Sequence, residues 1–297
     1  MKRRNFIGYS LLFLSGCTLT SRNRDRANLE AVKAPEKLRF AVTDVIGREK
    51  LEENYEPFRQ QLAEVLGIPV EFFPVQNMNA AASALQLNQV DFVLTGPSEY
   101  VAIRARTNAV PVIAITRPNY RSVLAVAANS DIKSVADLKG KSIALSDVGS
   151  TSGHLGPTKL LIDAQLNPKS DVNVKMLGDE GSVAAMKNGE VDAWGGSAID
   201  YEVFFQEKAN SPDRWRILKQ GPPLPSDIFV ASSLLDPDVV ALIRSLLVEN
   251  QQSLIQALAI GEATQKYKGS QLVPADDKDY DPIREVYQAI GEGTFIP

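Results

Sequence analysis

Short apolar runs alternate with helix-length amphipathic runs twice along this chain, and that alternation admits few folds. Runs at 38–42, 70–75 and 90–94 read as strands, separated by helical stretches at 50–66 and 80–87. Within 50–66 the residues Leu51, Tyr55, Phe58, Leu62, Val65 and Leu66 recur at helical spacing, and Gly67 stops the helix. The Thr95-Gly96-Pro97-Ser98-Glu99-Tyr100 turn leads into another helix, with Pro97 or Ser98 suited to its first positions. Strands at 110–116 and 122–127 follow. The second series takes a short helix at 135–138, a strand at 142–145, and a helix from Leu155 to 166. It continues with strands at 172–177, 191–194 and 215–218 and helices at 182–188 and 201–208. After Pro222-Pro223, a strand at 228–231 precedes C-terminal helices at 239–258 and 282–290. Strands joined through helices of this length run parallel, and parallel sheets need helices on both faces. The expected fold is α/β, in two modules of about 90–100 residues each.

Open parallel sheets bind ligands beyond the carboxyl ends of their strands. Thr95-Gly96 and the stretch 149–153 both sit at such ends, one per module, so two half-sites facing across a cleft is the simplest geometry. The stretch Asp147-Val-Gly-Ser-Thr-Ser-Gly-His-Leu-Gly-Pro157 lies between an apolar strand and a helix-like run starting near Leu155. The first N–H groups of a helix lack intrahelical partners and carry partial positive charge, so a strand, a hydroxyl-rich loop and a helix start make an anion cradle. Ser150, Thr151 and Ser152 add hydroxyl donors, and Gly149 and Gly153 permit close backbone approach. Ser and Thr are also ordinary helix caps. Three hydroxyl residues in a row between two glycines favour the oxyanion reading. Thr95 can cap the following helix and aim its N–H groups at the cleft as well. Tyr100 and the single histidine, His154, read as packing residues, and Asp200 as a carboxylate favoured at a helix start.

The first seventeen residues read as an export signal. Lys2, Arg3 and Arg4 form a positive region, 6–14 a short apolar one, and Leu14-Ser15-Gly16-Cys17 resembles a bacterial lipobox. That apolar run is too short for a permanent transmembrane helix. Arg3-Arg4-Asn5-Phe6-Ile7 also resembles a twin-arginine signal. Cys17 is the only cysteine, so no internal disulfide is possible and no thiol remains for catalysis or metal binding once it is lipidated. Residues 18–35 are polar and aperiodic and read as a tether. A net charge of −4 gives no electrostatic case for nucleic acid.

An enzyme is the rival class. The stretch 149–153 has the outline of a nucleophile elbow, but its centre is Thr151 and its nearest histidine is adjacent in sequence. No H-E-x-x-H, paired Cys, Walker A or G-x-G-x-x-G pattern occurs, so neither metal nor cofactor is expected. A binder of another anion, such as a sulfonate, and a ligand-sensing lobe remain open.

Several stretches together resemble the phosphate/phosphonate substrate-binding proteins of ABC importers, with a cyanobacterial-like pattern at 95–107. They are the lipobox signal, Tyr55-Glu-Pro-Phe58, Val90-Asp91-Phe-Val-Leu-Thr-Gly-Pro-Ser-Glu-Tyr100, Asp137-Leu-Lys-Gly-Lys-Ser-Ile143, Gly149-Ser-Thr-Ser-Gly153, Gly189-Glu-Val-Asp-Ala193 and Pro225-Ser-Asp-Ile-Phe229. The resemblance covers 36–290. It implies a two-lobed type II periplasmic-binding-protein fold, each lobe a mainly parallel sheet flanked by helices, joined by two hinge segments. Lobe 1 would take 36–124 plus 226–297 and lobe 2 would take 125–225. The implied ligand is a small phosphorus oxyanion, phosphonate, phosphite or phosphate, held by Ser150, Thr151 and Ser152 with Asp227 contributing from the return segment. The implied partners are an ABC permease and a membrane reached through the lipid anchor, with a periplasmic location and a monomeric state. The sequence departs from the family at three positions. Met78 and Thr95 stand where the family places aromatic residues, and Asp179 stands where many members carry a histidine. A carboxylate there can accept a hydrogen bond from a protonated phosphoryl oxygen but repels a dianion.

The lipobox generates a prediction about processing. Cys17→Ser should leave the protein uncleaved or released from membranes, as read by detergent partitioning and mature mass. Normal processing and membrane partitioning of the variant would contradict the lipoprotein assignment.

Overall fold

The computed structural model describes residues 34–44, 47–76, 80–205 and 214–293. The signal segment, residues 18–33 of the tether and Met78 lie outside the described residues. Strands β1 (Leu38–Val42), β2 (Val70–Phe72), β3 (Phe92–Thr95) and β4 (Val110–Ile115) come first. They are followed by β5 (Arg121–Ala127), β6 (Ser142–Leu145), β7 (Asn173–Met176), β8 (Ala193–Ser197) and β9 (Trp215–Pro223). β10 (Asp227–Ala231) and β11 (Leu272–Val273) complete the set. They form a six-stranded sheet in the order β11-β4-β10-β3-β1-β2 and a five-stranded sheet in the order β7-β6-β8-β5-β9.

The pairing expected from strand–helix alternation holds where helices connect the strands. β1 runs parallel to β2 and β3, and β6 runs parallel to β7 and β8. Elsewhere the sheets are mixed rather than mainly parallel, since β10, β11 and β5 all pair antiparallel to their neighbours. The cause for β5 and β10 is topological. β4 ends at the sheet edge that faces the other lobe, the chain crosses over residues 116–120, and β5 therefore starts at the facing edge of the second sheet. β9 returns over 224–226 and starts β10 in the same way. All pairings of Arg121–Ala127 are with β8 and β9, so the expected division between 124 and 125 falls inside a strand of the second sheet.

Each sheet is covered on both faces. In the first, α1 (Arg48–Leu66) packs on one face, ends at Gly67 with φ 70° and donates from the Gly67 N–H to the Ala63 carbonyl. Helices α2 (Ala80–Gln86) and α3 (Pro97–Thr107) pack on the other. The second sheet carries α4 (Gly156–Asp163) on one face and α5 (Gly178–Lys187) and α6 (Ala198–Phe205) on the other. The long C-terminal helix expected at 239–258 is two, α7 (Pro237–Glu249) and α8 (Gln251–Leu258). Asn250 breaks it, turning its side-chain amide back to the Leu246 carbonyl at 2.9 Å. Both join the α1 face, and α9 (Asp281–Ala289) joins the α3 face. Leu155, from the second lobe, is fully buried in the cluster of Tyr280, Ile283 and Val286 from the first.

The α1 face is centred on four phenylalanines. Phe92 stacks on Phe229 with centroids 5.4 Å apart and lies 6.0 Å from Phe40, while Phe58 lies 5.8 Å from Phe229. Phe92 is fully buried. Phe92→Ala should cost about 3–5 kcal/mol, from lost burial and the residual cavity. Urea unfolding followed by circular dichroism checks this, and a loss below about 1 kcal/mol would show that the cluster is not the lobe's structural centre.

Candidate functional site

The two sheets face each other along the edge where β1, β3, β6 and β8 end. Between them lies a cleft of about 940 Å³, lined by residues of both lobes and of the crossovers. Thr95, Ser150, Thr151, Ser152, Asp179 and Asp227 all line it. Asp227 reaches this edge because β10 is antiparallel. Ile228 pairs with Thr95, so the first residue of β10 lies beside the last of β3.

The hydroxyl-rich stretch is already helical. A π turn spans Thr151–Leu155 and runs into α4, four residues earlier than the helix start expected at Leu155. Gly149 has φ 91°, a conformation most residues resist. The Ser150 carbonyl accepts from both His154 N–H and Leu155 N–H, and its hydroxyl accepts from Gly153 N–H at 3.2 Å. A Cβ on Gly153 would lie 2.4 Å from the Ser146 Cβ, so only glycine lets the turn approach β6 this closely. With Gly149 N–H given to His154 Nδ1 and Ser150 N–H to the Asp147 carbonyl, the first-turn donors left without a helical acceptor are Thr151 and Ser152. That is the cradle, narrower than three equivalent residues would make it.

The side chains have more internal partners than the sequence suggests. Thr151 Oγ1 accepts from Ser98 N–H at 3.1 Å and donates to Ser98 Oγ at 2.9 Å, joining this turn to the start of α3 in the other lobe. The Thr43 hydroxyl donates to Thr95 Oγ1 at 3.0 Å, and the Ser146 hydroxyl donates to Asp179. Tyr267 donates to Asp227 Oδ2 at 2.7 Å, and Arg117 Nη1 lies 3.5 Å from Oδ1. His154 and Tyr100 are packing residues as expected. His154 is buried with its Nδ1 engaged, and the Tyr100 hydroxyl donates to Asp277 at 2.5 Å.

Sequence reasoning missed Arg117, Tyr120, Asp44 and Lys266. Arg117 sits in the first crossover with its guanidinium 3.7 Å over the Tyr120 ring. Lys266 pairs with Asp44, whose carboxylate also accepts from the Tyr55 hydroxyl at 2.8 Å. The only signal for Arg117 was a lone basic residue ending an apolar strand before Pro118. Its meaning depends on a contact 110 positions away in sequence (227 − 117).

The two bases of the cleft are thus paired with carboxylates, and Glu99, Asp147, Asp179, Asp200 and Glu262 also line it. Burial pushes the Glu99 carboxyl up. Burial also raises Asp200, outweighing the hydrogen bond from Ser197. Burial alone would lower Arg117, but Asp227 and the neighbouring phenols hold it above its ordinary value. Burial lowers His154, so the imidazole beside the turn is neutral and its Nδ1 is already an acceptor. The turn therefore has donors for an anion, and the imidazole beside it has its Nδ1 already engaged.

Comparison with known proteins gives a consistent picture. The Mycolicibacterium smegmatis "Phosphate-import protein PhnD" is 25% identical over 282 residues, covering 86% of this chain and 87% of that protein. A probable ABC transporter phosphite binding protein, PhnD1, from Prochlorococcus marinus is 26% identical over 192 residues, 61% of this chain and 63% of that one. In fold, the chain is similar to P. marinus PhnD1 in complex with methylphosphonate, with a TM-score of 0.68, 20% identity, and 87% and 99% of the two chains covered. It is also similar to the Escherichia coli periplasmic aliphatic sulphonate binding protein SsuA, with a TM-score of 0.61, 20% identity and 89% of each chain covered. The fold is that of the type II periplasmic binding proteins. A model of the family described as "ABC transporter, phosphonate, periplasmic substrate-binding protein" matches residues 40–280. The chain belongs to this family of transporter substrate-binding proteins, whose members are not enzymes.

Proposed function

We propose that this protein captures a small phosphorus oxyanion, phosphonate, phosphite or phosphate, between its lobes and delivers it to an ABC permease. The observation that carries the reading is the pairing of two helix starts across one polar cleft. The Thr151–Ser152 turn and the start of α3 bring first-turn N–H groups and hydroxyls from both lobes to the same place. Names of relatives point the same way, since they specify phosphate import, phosphonate binding and phosphite binding. The protein acts in the periplasm as a monomer, held to a membrane by lipid on Cys17. Its lobes close over the ligand by bending at 116–120 and 224–226, each made of few residues without helix or strand structure. Ser150, Thr151 and Ser152 form the oxyanion turn. Thr95 positions the α3 start, Asp227 and Asp179 face the ligand, and Thr151 also ties the closed lobes through Ser98.

A thermal-shift panel of phosphate, phosphite, methylphosphonate, aminoethylphosphonate and sulfate tests the reading, on protein starting after residue 26. A ligand that binds the native state raises apparent stability in proportion to ln(1 + [L]/Kd). At least one phosphorus oxyanion should stabilise the protein strongly and sulfate should not. Charge-assisted hydrogen bonds are worth roughly 1.5–3 kcal/mol, so Ser152→Ala should weaken the best ligand about tenfold or more by calorimetry. Thr151→Val should produce a similar loss by breaking the bond between lobes. Unchanged affinity in both variants would remove the turn from the site.

A further inference from the structure

Among the described residues, Arg117 and Asp227 are the one charged pair that joins the two crossovers. Arg117 lies in the first crossover, and Asp227 is the first residue after the second. Asp227 is 2% exposed, with Oδ2 taken by the Tyr267 hydroxyl. Asp227 Oδ1 and Arg117 Nε are both buried and, among the described residues, have no hydrogen-bond partner. Both residues line the cleft. The pair is neutral overall, with Oδ1 held at 3.5 Å from Arg117 Nη1, and it leaves one donor and one acceptor without a hydrogen bond.

A buried acceptor left without a donor is costly, and the cost rises when a second anion faces it. The ligand that satisfies both atoms presents an anionic oxygen beside a hydroxyl on the same centre. A singly protonated phosphorus oxoacid does this. Its P–O⁻ accepts from Arg117 Nε and its P–OH donates to Asp227 Oδ1. A fully ionised phosphonate or a sulfonate, which has no hydroxyl, points a bare oxygen at the carboxylate instead. Resting on the function proposed above, we infer that Arg117 and Asp227 are specificity residues that select the monoprotonated form of a phosphorus oxoacid and reject dianions and sulfonates.

The sign of the pH dependence follows. A ligand that keeps its proton when bound has its second pKa raised in the complex. Affinity is then full below the free ligand's second ionisation and is lost above it. The groups around the pair include the phenols of Tyr55, Tyr120, Tyr267 and Tyr280, all pushed up by burial, Tyr120 to about 12. Asp44, Glu99, Asp200 and Lys266 also face it. Glu99 and Asp200 are raised by burial, and ionisation of Glu99 would also weaken anion binding as pH rises, so a Glu99→Gln control is needed.

The test is calorimetric titration with methylphosphonate and its near-isostere methanesulfonate from about pH 6 to about pH 9. Wild type should bind methylphosphonate, lose about tenfold in affinity per pH unit beyond the ligand's second ionisation, and bind methanesulfonate at least about a hundredfold more weakly at low pH. The fall should persist in Glu99→Gln. Asp227→Asn should flatten it and narrow the gap to methanesulfonate, and Arg117→Gln should weaken methylphosphonate about tenfold or more. Equal methylphosphonate affinity across the range would overturn the inference. So would equal binding of the sulfonate, or loss of the fall in Glu99→Gln. Tight aminoethylphosphonate binding without a pH-dependent fall for methylphosphonate would assign Asp227 to an ammonium group, which also overturns it. In each case the function proposed above would stand. That reading fails on a different result, the absence of binding by any phosphorus oxyanion at either end of the range.

Discussion

Two helix starts meet across this cleft, and their meeting constrains everything around it. Each start carries partial positive charge from its unpaired N–H groups, on the order of half an elementary charge. Left alone, the two ends would repel. The reciprocal hydrogen bonds between Thr151 and Ser98 hold them together, and the oxyanion proposed above would offset the remaining charge. The geometry depends on close approach. Gly153 allows the π turn to lie against Ser146, and Leu155 anchors the same turn in the hydrophobic cluster of the opposite lobe. The turn therefore belongs by sequence to one lobe and by packing to both.

The crossovers account for the remainder of the site. Because each crossover starts its next strand at the facing edge, β5 and β10 run against their neighbours, and Asp227 is delivered to the cleft without a loop of its own. Arg117 is delivered there from the other crossover. A charged residue buried at a hinge costs free energy unless it is paired, and here each partner is the other's counter-ion. The cleft's other base, Lys266, is likewise matched by Asp44. Five further carboxylates line the cleft, so it has no net positive charge to offer an anion. The oxyanion proposed above would depend on oriented N–H and O–H donors, which discriminate by geometry and protonation where bare charge does not.

Much of the fold was legible in the sequence because strand and helix periods are local properties. β1 and β6 fall where the apolar runs place them, and α1 follows the spacing of Leu51, Tyr55, Phe58 and Leu62. The early start of the helix after Ser150 was not legible, because Gly and Ser have poor helix propensity and the turn is set by tertiary packing against Ser146 and the first lobe's core. The antiparallel pairing of β5 and β10 escaped for a similar reason, since it follows from the path of the crossovers and not from any residue pattern. The hydroxyl triplet, Thr95, Asp179 and Asp227, each singled out from the sequence, all line the cleft. Their partners were not foreseen, because Ser98, Ser146, Tyr267 and Arg117 meet them only through long-range topology. Asp179 is tied to Ser146 within its own lobe.

Capture as proposed requires an oxyanion between the Thr151–Ser152 turn and the Arg117–Asp227 pair. A crystal structure of the protein with methylphosphonate, phased so that phosphorus is located from its anomalous signal, tests it most directly. Phosphorus should lie in the cleft, with ligand oxygens within hydrogen-bonding distance of Thr151 N–H, Ser152 N–H and Arg117 Nε. Phosphorus located away from the turn would contradict it, for example in the apolar cavity of about 360 Å³ bordered by Leu160, Pro223 and Ile283.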